Sequence, residues 1–257
     1  MPSSQLHNKS ALFEPIVALT EQAGEAIMQY YQDEVAITRK DDASPVTEAD
    51  HAAHRILVDG LRALTPDIPV ISEESASHEI PEDATAFWLV DPLDGTKSFI
   101  RGKKDFAVCV GLIEAGQASL GVIHVPVDKA TYFGAQGEGV WRKQHDEVQP
   151  IAAKRIDENG WHAVVSHMHL DASTKAFLDE YNVIAHAPVA SAVKFCRVAE
   201  GAFDLYPRFG PTMEWDTAAG QALVEAAGAQ MTTPEGGAFR YGKADLRNGA
   251  FIVKVAG

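Results

Sequence analysis

Asp91-Pro92-Leu93-Asp94-Gly95-Thr96 decides the fold, because it ends the apolar run Ala86-Phe87-Trp88-Leu89-Val90. A short apolar, aromatic-rich run that is cut off by proline and glycine predicts a buried strand. Asp91 and Asp94 therefore emerge at its carboxyl end, which is where open α/β sheets bind their ligands. The alternative is a pair of ordinary turns, Asp-Pro followed by Asp-Gly.

The chemistry of this stretch favours a cation together with a phosphate. Gly95 lets the backbone come close to a bound group, and the N–H groups of Gly95 and Thr96 begin a predicted short helix, a position that suits phosphate. Two carboxylates about 4 Å apart repel by roughly 4 kcal/mol at an effective dielectric near 20, so such a pair needs a metal ion or a proton.

Composition indicates a globular protein and excludes some classes of partner. The chain has 257 residues, of which 46% are hydrophobic and 23% charged, enough to bury a large core. A formal net charge of −14 argues against binding of nucleic acid through its phosphates, which requires a basic surface. A phosphorylated small molecule stays compatible with this charge if bound cations reverse it locally.

Cysteine usage and hydropathy predict a cytoplasmic protein. Cys109 and Cys196 lie in apolar segments without CxxC spacing and are predicted to be buried thiols in a reducing compartment. Residues 1–10 are polar and do not resemble a signal peptide. No apolar run is long enough to span a membrane.

Hydrophobic periodicity predicts a layered α/β fold in two halves. We expect an N-terminal α+β half at 1–145 and a C-terminal α/β half at 146–257, packed as one compact unit. The predicted helices are 11–32, a second helix ending at 64, 172–181, 191–201 and 217–228. The predicted strands are 68–71, 86–90, 105–115, 118–127, 130–135, 139–142, 161–166, 183–186, 202–207, a short strand after 228, and 250–255.

Further acidic residues follow predicted strands or precede predicted helices. Glu73 and Glu74 follow the strand 68–71. If this strand lies beside the strand 86–90 in the sheet, Glu73 comes close to Asp91 and Asp94. The alternative is that the two glutamates belong to a solvated loop. Asp216 precedes the helix 217–228, where it is either a helix cap or a residue that faces a cation. Thr47 and Asp50 have the spacing of a capping box, which would by itself explain both.

Four motifs in order resemble those of the inositol monophosphatase superfamily, over nearly the whole chain. Within that superfamily, the segments 97–100, 194–201 and 205–212 are most similar to the bacterial bisphosphate nucleotidases. The resemblance implies an αβαβα sandwich of the inositol monophosphatase and fructose-1,6-bisphosphatase type. The four motifs are Thr47-Glu48-Ala49-Asp50, Ser72-Glu73-Glu74, the stretch from Trp88 to Thr96, and Trp215-Asp216-Thr217-Ala218-Ala219-Gly220.

The resemblance also implies a Mg²⁺ site with two or three ions. It assigns the attacking water to Asp50 and Thr96, with Glu74 in support through a further, weakly held ion. The implied metal ligands are Glu73, Asp91, the carbonyl of Leu93, Asp94 and Asp216. All of these except Asp91 are also implied to contact the substrate, together with Gly95 and Thr96. In the second half, the implied substrate contacts are Ser166, His169, Ser191 and Lys194.

The implied activity is lithium-sensitive removal of the 3′-phosphate from adenosine 3′,5′-bisphosphate, giving AMP and phosphate. It extends to conversion of 3′-phosphoadenosine 5′-phosphosulfate into adenosine 5′-phosphosulfate in sulfur assimilation. The resemblance also allows peripheral association with the cytoplasmic side of the inner membrane. One departure concerns nucleotide binding, since Ser166-His167-Met168-His169 stands where the family usually has Ser-Arg-Ser-His.

Several alternatives use the same residues differently. A phosphatase for inositol monophosphate or fructose 1,6-bisphosphate would keep the metal site and change the second-half pocket. A non-catalytic phosphometabolite-binding protein would not need Asp50 and Thr96 beside a full ligand set. The chain has no GxxxxGK[ST] motif, and its histidine pairs His51/His54 and His167/His169 have no third ligand at zinc-site spacing.

Overall fold

The computed structural model describes residues 8–31, 37–39, 45–154, 158–166 and 171–255. The helices are α1 (Ser10–Tyr30), α2 (Glu48–Leu64), α3 (Thr96–Ile100), α4 (Ala172–Glu180), α5 (Val193–Ala199) and α6 (Ala218–Ala226). In the first half the strands are β1 (Ile37–Arg39), β2 (Pro45–Thr47), β3 (Val70–Ser72), β4 (Ala86–Asp94), β5 (Ala107–Glu114), β6 (Gln117–Val125), β7 (Ala130–Ala135), β8 (Gly139–Gln144) and β9 (Glu147–Pro150). The remaining strands are β10 (Trp161–Ser166), β11 (Val183–Val189), β12 (Leu205–Arg208), β13 (Thr212–Met213), β14 (Ala229–Thr232), β15 (Arg247–Asn248) and β16 (Phe251–Val255).

Two sheets carry the fold. The larger has seven strands in the order β3-β4-β5-β6-β7-β8-β9, and only its β3–β4 pair is parallel. The meander predicted for the first half is thereby confirmed, and β9 continues this sheet beyond residue 145. The smaller sheet has the order β11-β10-β12-β16-β14, with β10 parallel to β11 and β12 and β16 antiparallel to β12 and β14.

The elements stack in five layers, which confirms the predicted αβαβα sandwich. One core cluster joins α1 and α2 to one face of the larger sheet. A second joins the opposite face of that sheet to α5, α6 and the smaller sheet, and so contains residues of both halves. A third lies between α4 and the outer face of the smaller sheet.

Strand β4 is covered on both faces, and its sequence is therefore apolar at successive positions and does not alternate between apolar and polar residues. Trp88 and Val90 pack toward α1 and α2, whereas Phe87 and Leu89 pack toward α5 and α6. A strand covered on both faces needs apolar side chains at successive positions. The prediction that this strand ends at Val90 is wrong, because β4 continues to Asp94. Its ladder with β5 is irregular between Asp91 and Asp94, where Pro92 has no N–H to donate.

Helix α6 begins in unusually close contact with the larger sheet. A Cβ added at Gly121 of β6 would lie 2.2 Å from the carbonyl oxygen of Ala219. The prediction that the small residues of this helix allow a close backbone approach is therefore confirmed. The approach fixes the start of α6, and with it the position of the preceding Asp216.

Gly121→Ala is expected to lower the free energy of unfolding by about 1–3 kcal/mol, since the added methyl group overpacks this contact. Urea unfolding measures the change. Gly249→Ala is the matched control, because a Cβ there meets no atom within 4 Å. Equal stability of the two variants would contradict the close approach.

Both cysteines are buried free thiols, as predicted. Within the part of the chain that the structure describes, no helix is long and apolar enough to cross a membrane.

Candidate active site

Strands β3 and β4 bring the first carboxylates together. Ser72 pairs with Val90 in this parallel ladder, and the N–H of Glu73 donates to the Val90 carbonyl at 3.0 Å. Glu73 therefore follows β3 beside Asp91. This pairing confirms the predicted approach of Glu73 to Asp91, and the charges of Glu73 and Asp94 both raise the pKa of Asp91.

The turn that follows Asp91 is held by its own polar groups. Oδ1 of Asp91 accepts the N–H of Leu93 at 3.0 Å, and the Thr96 hydroxyl donates to the Leu93 carbonyl at 3.0 Å. Gly95 has a φ of 94°, in the left-handed region that favours glycine. A Cβ at Gly95 would also lie 2.9 Å from the carbonyl oxygen of Asp105. The turn thus requires glycine at this position.

Asp94 links this turn to the second half of the chain. Its Oδ2 accepts the Ser191 hydroxyl at 2.7 Å and the backbone N–H of Ala192. Ser191 has a φ of 63°, a conformation that is costly for a residue with a Cβ and is typical of functional sites. For the same reason the predicted helix start at residue 191 is wrong, and α5 begins at Val193.

Asp216 comes from a 3₁₀ turn, Glu214–Asp216, that precedes α6. Its Oδ2 accepts the N–H of Met213 at 2.8 Å. The residue before α6 is Thr217, which makes no side-chain cap hydrogen bond. Asp216 therefore does not cap α6 itself, but its carboxylate caps the 3₁₀ turn that leads into α6.

Burial and neighbouring carboxylates raise the pKa values of Asp91 and Asp216. Burial, followed by the charge of Asp94, raises the pKa of Asp216 well above its ordinary value. Asp50, in the first turn of α2, is buried and adds to the field at Asp91. The pKa of Asp91 is raised by burial and then by four carboxylates, which are Glu73, Asp94, Asp216 and Asp50.

This donor set suits a hard divalent cation. Oxygen ligands are those that Mg²⁺ prefers, and mutual repulsion among buried carboxylates is relieved when a cation neutralises them. Among the described residues, no three acidic, histidine or cysteine side chains are already grouped closely enough to hold a metal ion. The match between these residues and Mg²⁺ therefore rests on their oxygen atoms and on their negative charge.

A cavity of about 230 Å³ opens beside Asp94 and Asp216. Its lining includes three cationic side chains, Lys97, Lys194 and Arg208. The Lys194 ammonium donates to the Ser191 carbonyl at 2.6 Å, and burial lowers the pKa of Lys194 to about 8. The lining thus combines two carboxylates, Asp94 and Asp216, called here the acidic side, with three cationic groups, called here the basic side.

Arg208 and Lys97 are cavity residues to which the sequence analysis assigned no role. The Arg208 guanidinium donates to the hydroxyl of Ser166 and to the Gly210 carbonyl at 3.1 Å. Lys97 and Arg208 lie in the segments 97–100 and 205–212, which are similar to the bacterial bisphosphate nucleotidases. Their place in these two segments was the signal available in the sequence.

The other predicted site residues lie elsewhere or outside the described part. Glu74 lines a groove with His54 of α2; burial lowers the pKa of His54, and the Glu74 charge opposes that shift. His169, together with the departure at 167–168, lies outside the described residues. The capping contact of Thr47 with Asp50 is outside the described side chains as well.

Comparison with known proteins identifies the family of this chain. The family model "Inositol monophosphatase family" matches residues 8–255. A 3′(2′),5′-bisphosphate nucleotidase, CysQ from Salmonella typhimurium, is 42% identical over 233 residues, which are 90% of this chain and 94% of the relative. CysQ from Buchnera aphidicola is 37% identical over 236 residues, 90% of this chain and 87% of the relative.

Solved structures give the same result. The crystal structure of CysQ from Bacteroides thetaiotaomicron, described as a bacterial member of the inositol monophosphatase family, has a TM-score of 0.83 at 34% identity, over 97% of this chain and 98% of that one. An IMPase from Thermotoga maritima has a TM-score of 0.77 at 25% identity, over 93% and 89% of the two chains. The chain is therefore an enzyme of the inositol monophosphatase family.

Proposed function

We propose that this enzyme is a 3′(2′),5′-bisphosphate nucleotidase that removes the 3′-phosphate of adenosine 3′,5′-bisphosphate to give AMP and phosphate. The observation that carries the proposal is the mixed lining of this cavity, in which Asp94 and Asp216 lie together with Lys97, Lys194 and Arg208. A substrate with two phosphates can use both sides. The sulfated analogue, 3′-phosphoadenosine 5′-phosphosulfate, has the same two anionic ends, which extends the proposal to sulfur assimilation.

The acidic side is the proposed Mg²⁺ site. When bound, Mg²⁺ supplies positive charge at the reacting phosphate and lowers the pKa of water. Two ions are the number that such an in-line displacement uses, and the position of Glu74 beside His54 gives no support to a third. The residues proposed to hold the ions are Glu73, Asp91, the Leu93 carbonyl, Asp94 and Asp216.

The chain's own groups account for orientation of the attacking water. The Thr96 hydroxyl already donates its proton to the Leu93 carbonyl, so its oxygen is left to accept a hydrogen bond from water. Asp50, which is buried and whose charge acts on Asp91, is proposed to receive the proton as general base. The N–H groups of Gly95 and Thr96 are proposed to hold the phosphate as negative charge develops on it. No covalent phosphoenzyme forms in this mechanism.

The basic side is proposed to bind the 5′-phosphate. Lys194, with a pKa of about 8, is mostly protonated at neutral pH, and an arginine guanidinium is charged throughout. Ser166, which accepts from Arg208, is proposed to supply a hydroxyl group to this phosphate, and Ser191 lines the same cavity. His169 belongs to this proposal by resemblance alone. A site for inositol monophosphate would need no second anion-binding side.

Identification of the product tests the proposed position of cleavage. Adenosine 3′,5′-bisphosphate is incubated with the enzyme and Mg²⁺, and the products are separated by chromatography with 5′-AMP and 3′-AMP as standards. We expect 5′-AMP and phosphate with Mg²⁺ and no product in chelator. Formation of 3′-AMP would show that the two sides of the cavity bind the opposite phosphates from those proposed.

Lys97→Gln is expected to raise the KM for adenosine 3′,5′-bisphosphate roughly fivefold with little change in kcat, because an exposed charge pair is worth about 1 kcal/mol in water. The KM for 3′-AMP, which lacks the 5′-phosphate, should change less. Steady-state kinetics at low ionic strength measures both. Lys175→Gln, on the exposed surface of α4, is the matched control, and an equal effect of the two variants would contradict the assignment.

A further inference from the structure

Glu214 is a fully buried carboxylate outside the proposed ligand set. Its side chain has 0% exposure, and it lies two residues before Asp216 in the 3₁₀ turn. Its oxygens accept the N–H of Gly242 at 2.8 Å, the N–H of Lys243 at 3.0 Å and the Lys243 ammonium at 2.6 Å. The carboxylate is therefore bound to a chain segment remote from it in sequence.

The segment that binds Glu214 also holds the rest of the turn. The backbone N–H of Glu214 donates to the Leu246 carbonyl at 2.8 Å. Strand β13, which enters the turn, pairs with β15, and the Asn248 amide donates to the Met213 carbonyl at 2.7 Å. Residues 242–248 thus attach to the turn through both backbone and side chains, with Glu214 at the centre.

The Lys243 ammonium is itself held in place. It lies 5.5 Å from the ring centre of Phe239 and 5.6 Å from that of Tyr241, distances at which a cation is attracted to an aromatic face. It also donates to the Arg240 carbonyl at 2.6 Å. Both the Glu214 carboxylate and the Lys243 ammonium are therefore held in a defined position.

Such a pair is better suited to fixing a conformation than to adding stability. Desolvation of a buried ion pair cancels much of its attraction, whereas loss of one partner leaves a buried charge without compensation. Asp216 needs this kind of support, because Asp94 and Glu73 repel it. Without an anchored turn, repulsion would turn the Asp216 carboxylate away from the position at which it meets a cation.

We propose that Glu214 is a positioning residue that holds Asp216 ready for Mg²⁺ through its bonds to Gly242 and Lys243. The inference rests on the proposed metal centre and adds to it a residue that touches neither metal nor substrate. Supporting residues of this kind typically change metal affinity by roughly 10- to 100-fold when they are removed.

Mg²⁺ binding to the chelator-treated protein, measured by isothermal titration calorimetry, tests the inference without using the reaction. Glu214→Gln is expected to weaken Mg²⁺ binding by roughly tenfold and to leave the KM for nucleotide at saturating Mg²⁺ within about twofold. Lys243→Met is expected to weaken binding less, in the same direction. It serves as the second variant if Glu214→Gln does not fold, because Lys243 is 36% exposed.

Glu21→Gln is the control, since it removes an ion pair with Lys143 on the α1 side of the larger sheet and should leave Mg²⁺ binding unchanged. Lower stability of Glu214→Gln with unchanged Mg²⁺ affinity would overturn the inference and leave the proposed function intact. A tenfold loss of affinity supports the inference even if the wild type fails to hydrolyse the nucleotide. Absence of Mg²⁺ binding in the wild type would overturn both.

Discussion

Asp94→Asn is expected to lower the turnover number by roughly 10²- to 10³-fold, the usual cost of removing a group that stabilises charge in the transition state. The substitution removes one negative charge from the proposed ligand set. It also changes the acceptor of the Ser191 hydroxyl and the Ala192 N–H. An asparagine carbonyl can still accept these bonds, so the fold should persist.

Turnover of adenosine 3′,5′-bisphosphate measures the loss of activity, and thermal unfolding of the same preparation measures whether the fold persists. Asp179→Asn, at an exposed position of α4, is the control and should retain full activity. Near-normal turnover of Asp94→Asn would contradict the assignment of Asp94 to the catalytic site. Loss of activity together with unfolding would mean that the link to Ser191 is chiefly structural.

Asp91→Asn is expected to stabilise the protein in chelator while it abolishes activity. The folded state holds the Asp91 carboxylate among four others, and the pKa of Asp91 is raised well above 3.8. A raised pKa in the folded state means that stability is lost as the pH rises above that ordinary value. Removing the charge should recover at least about 1 kcal/mol at pH 7, or a melting temperature higher by roughly 2–4 °C.

Melting curves with and without Mg²⁺ check this prediction. In chelator the wild type should melt at lower temperature than Asp91→Asn at pH 7, and the difference should shrink toward pH 4. Added Mg²⁺ should raise the melting temperature of the wild type by mass action and that of the variant much less. A lower melting temperature of the variant in chelator would show that repulsion among the carboxylates is not the dominant effect.

Local sequence patterns were sufficient for a layered α/β fold and for the first-half carboxylates, whereas the αβαβα order of the layers came from the family resemblance. The run from Ala86 to Val90 is apolar at every position, as a strand covered on both faces requires, and β4 has helices on both faces. Glu73 and Asp91 follow adjacent parallel strands, so a coarse strand assignment already brought them together. These inferences needed only local patterns and the order of elements along the chain.

The contacts between the two halves could not be derived in that way. Ser191 was expected at the substrate, yet its hydroxyl donates to Asp94, a contact that depends on how the halves pack. Asp216 has the sequence context of a helix cap, but its carboxylate accepts the N–H of Met213. Local spacing allows both arrangements.

The basic side of the cavity depended on tertiary structure in the same way. Lys97 and Arg208 are more than a hundred residues apart in sequence and line one cavity with Lys194. Nothing in the local charge pattern distinguishes them from surface cations. Their convergence adds a structural argument for the substrate with two phosphates that the family resemblance implied.

Phosphate release from three substrates tests the central claim most directly. Adenosine 3′,5′-bisphosphate, inositol 1-phosphate and fructose 1,6-bisphosphate are each assayed with Mg²⁺, with chelator, and with Mg²⁺ plus lithium. We predict Mg²⁺-dependent, lithium-sensitive release with kcat/KM highest for the nucleotide. A preference for inositol 1-phosphate or fructose 1,6-bisphosphate would contradict the assignment of the basic side to a nucleotide phosphate, and no release from any substrate would contradict the catalytic site itself.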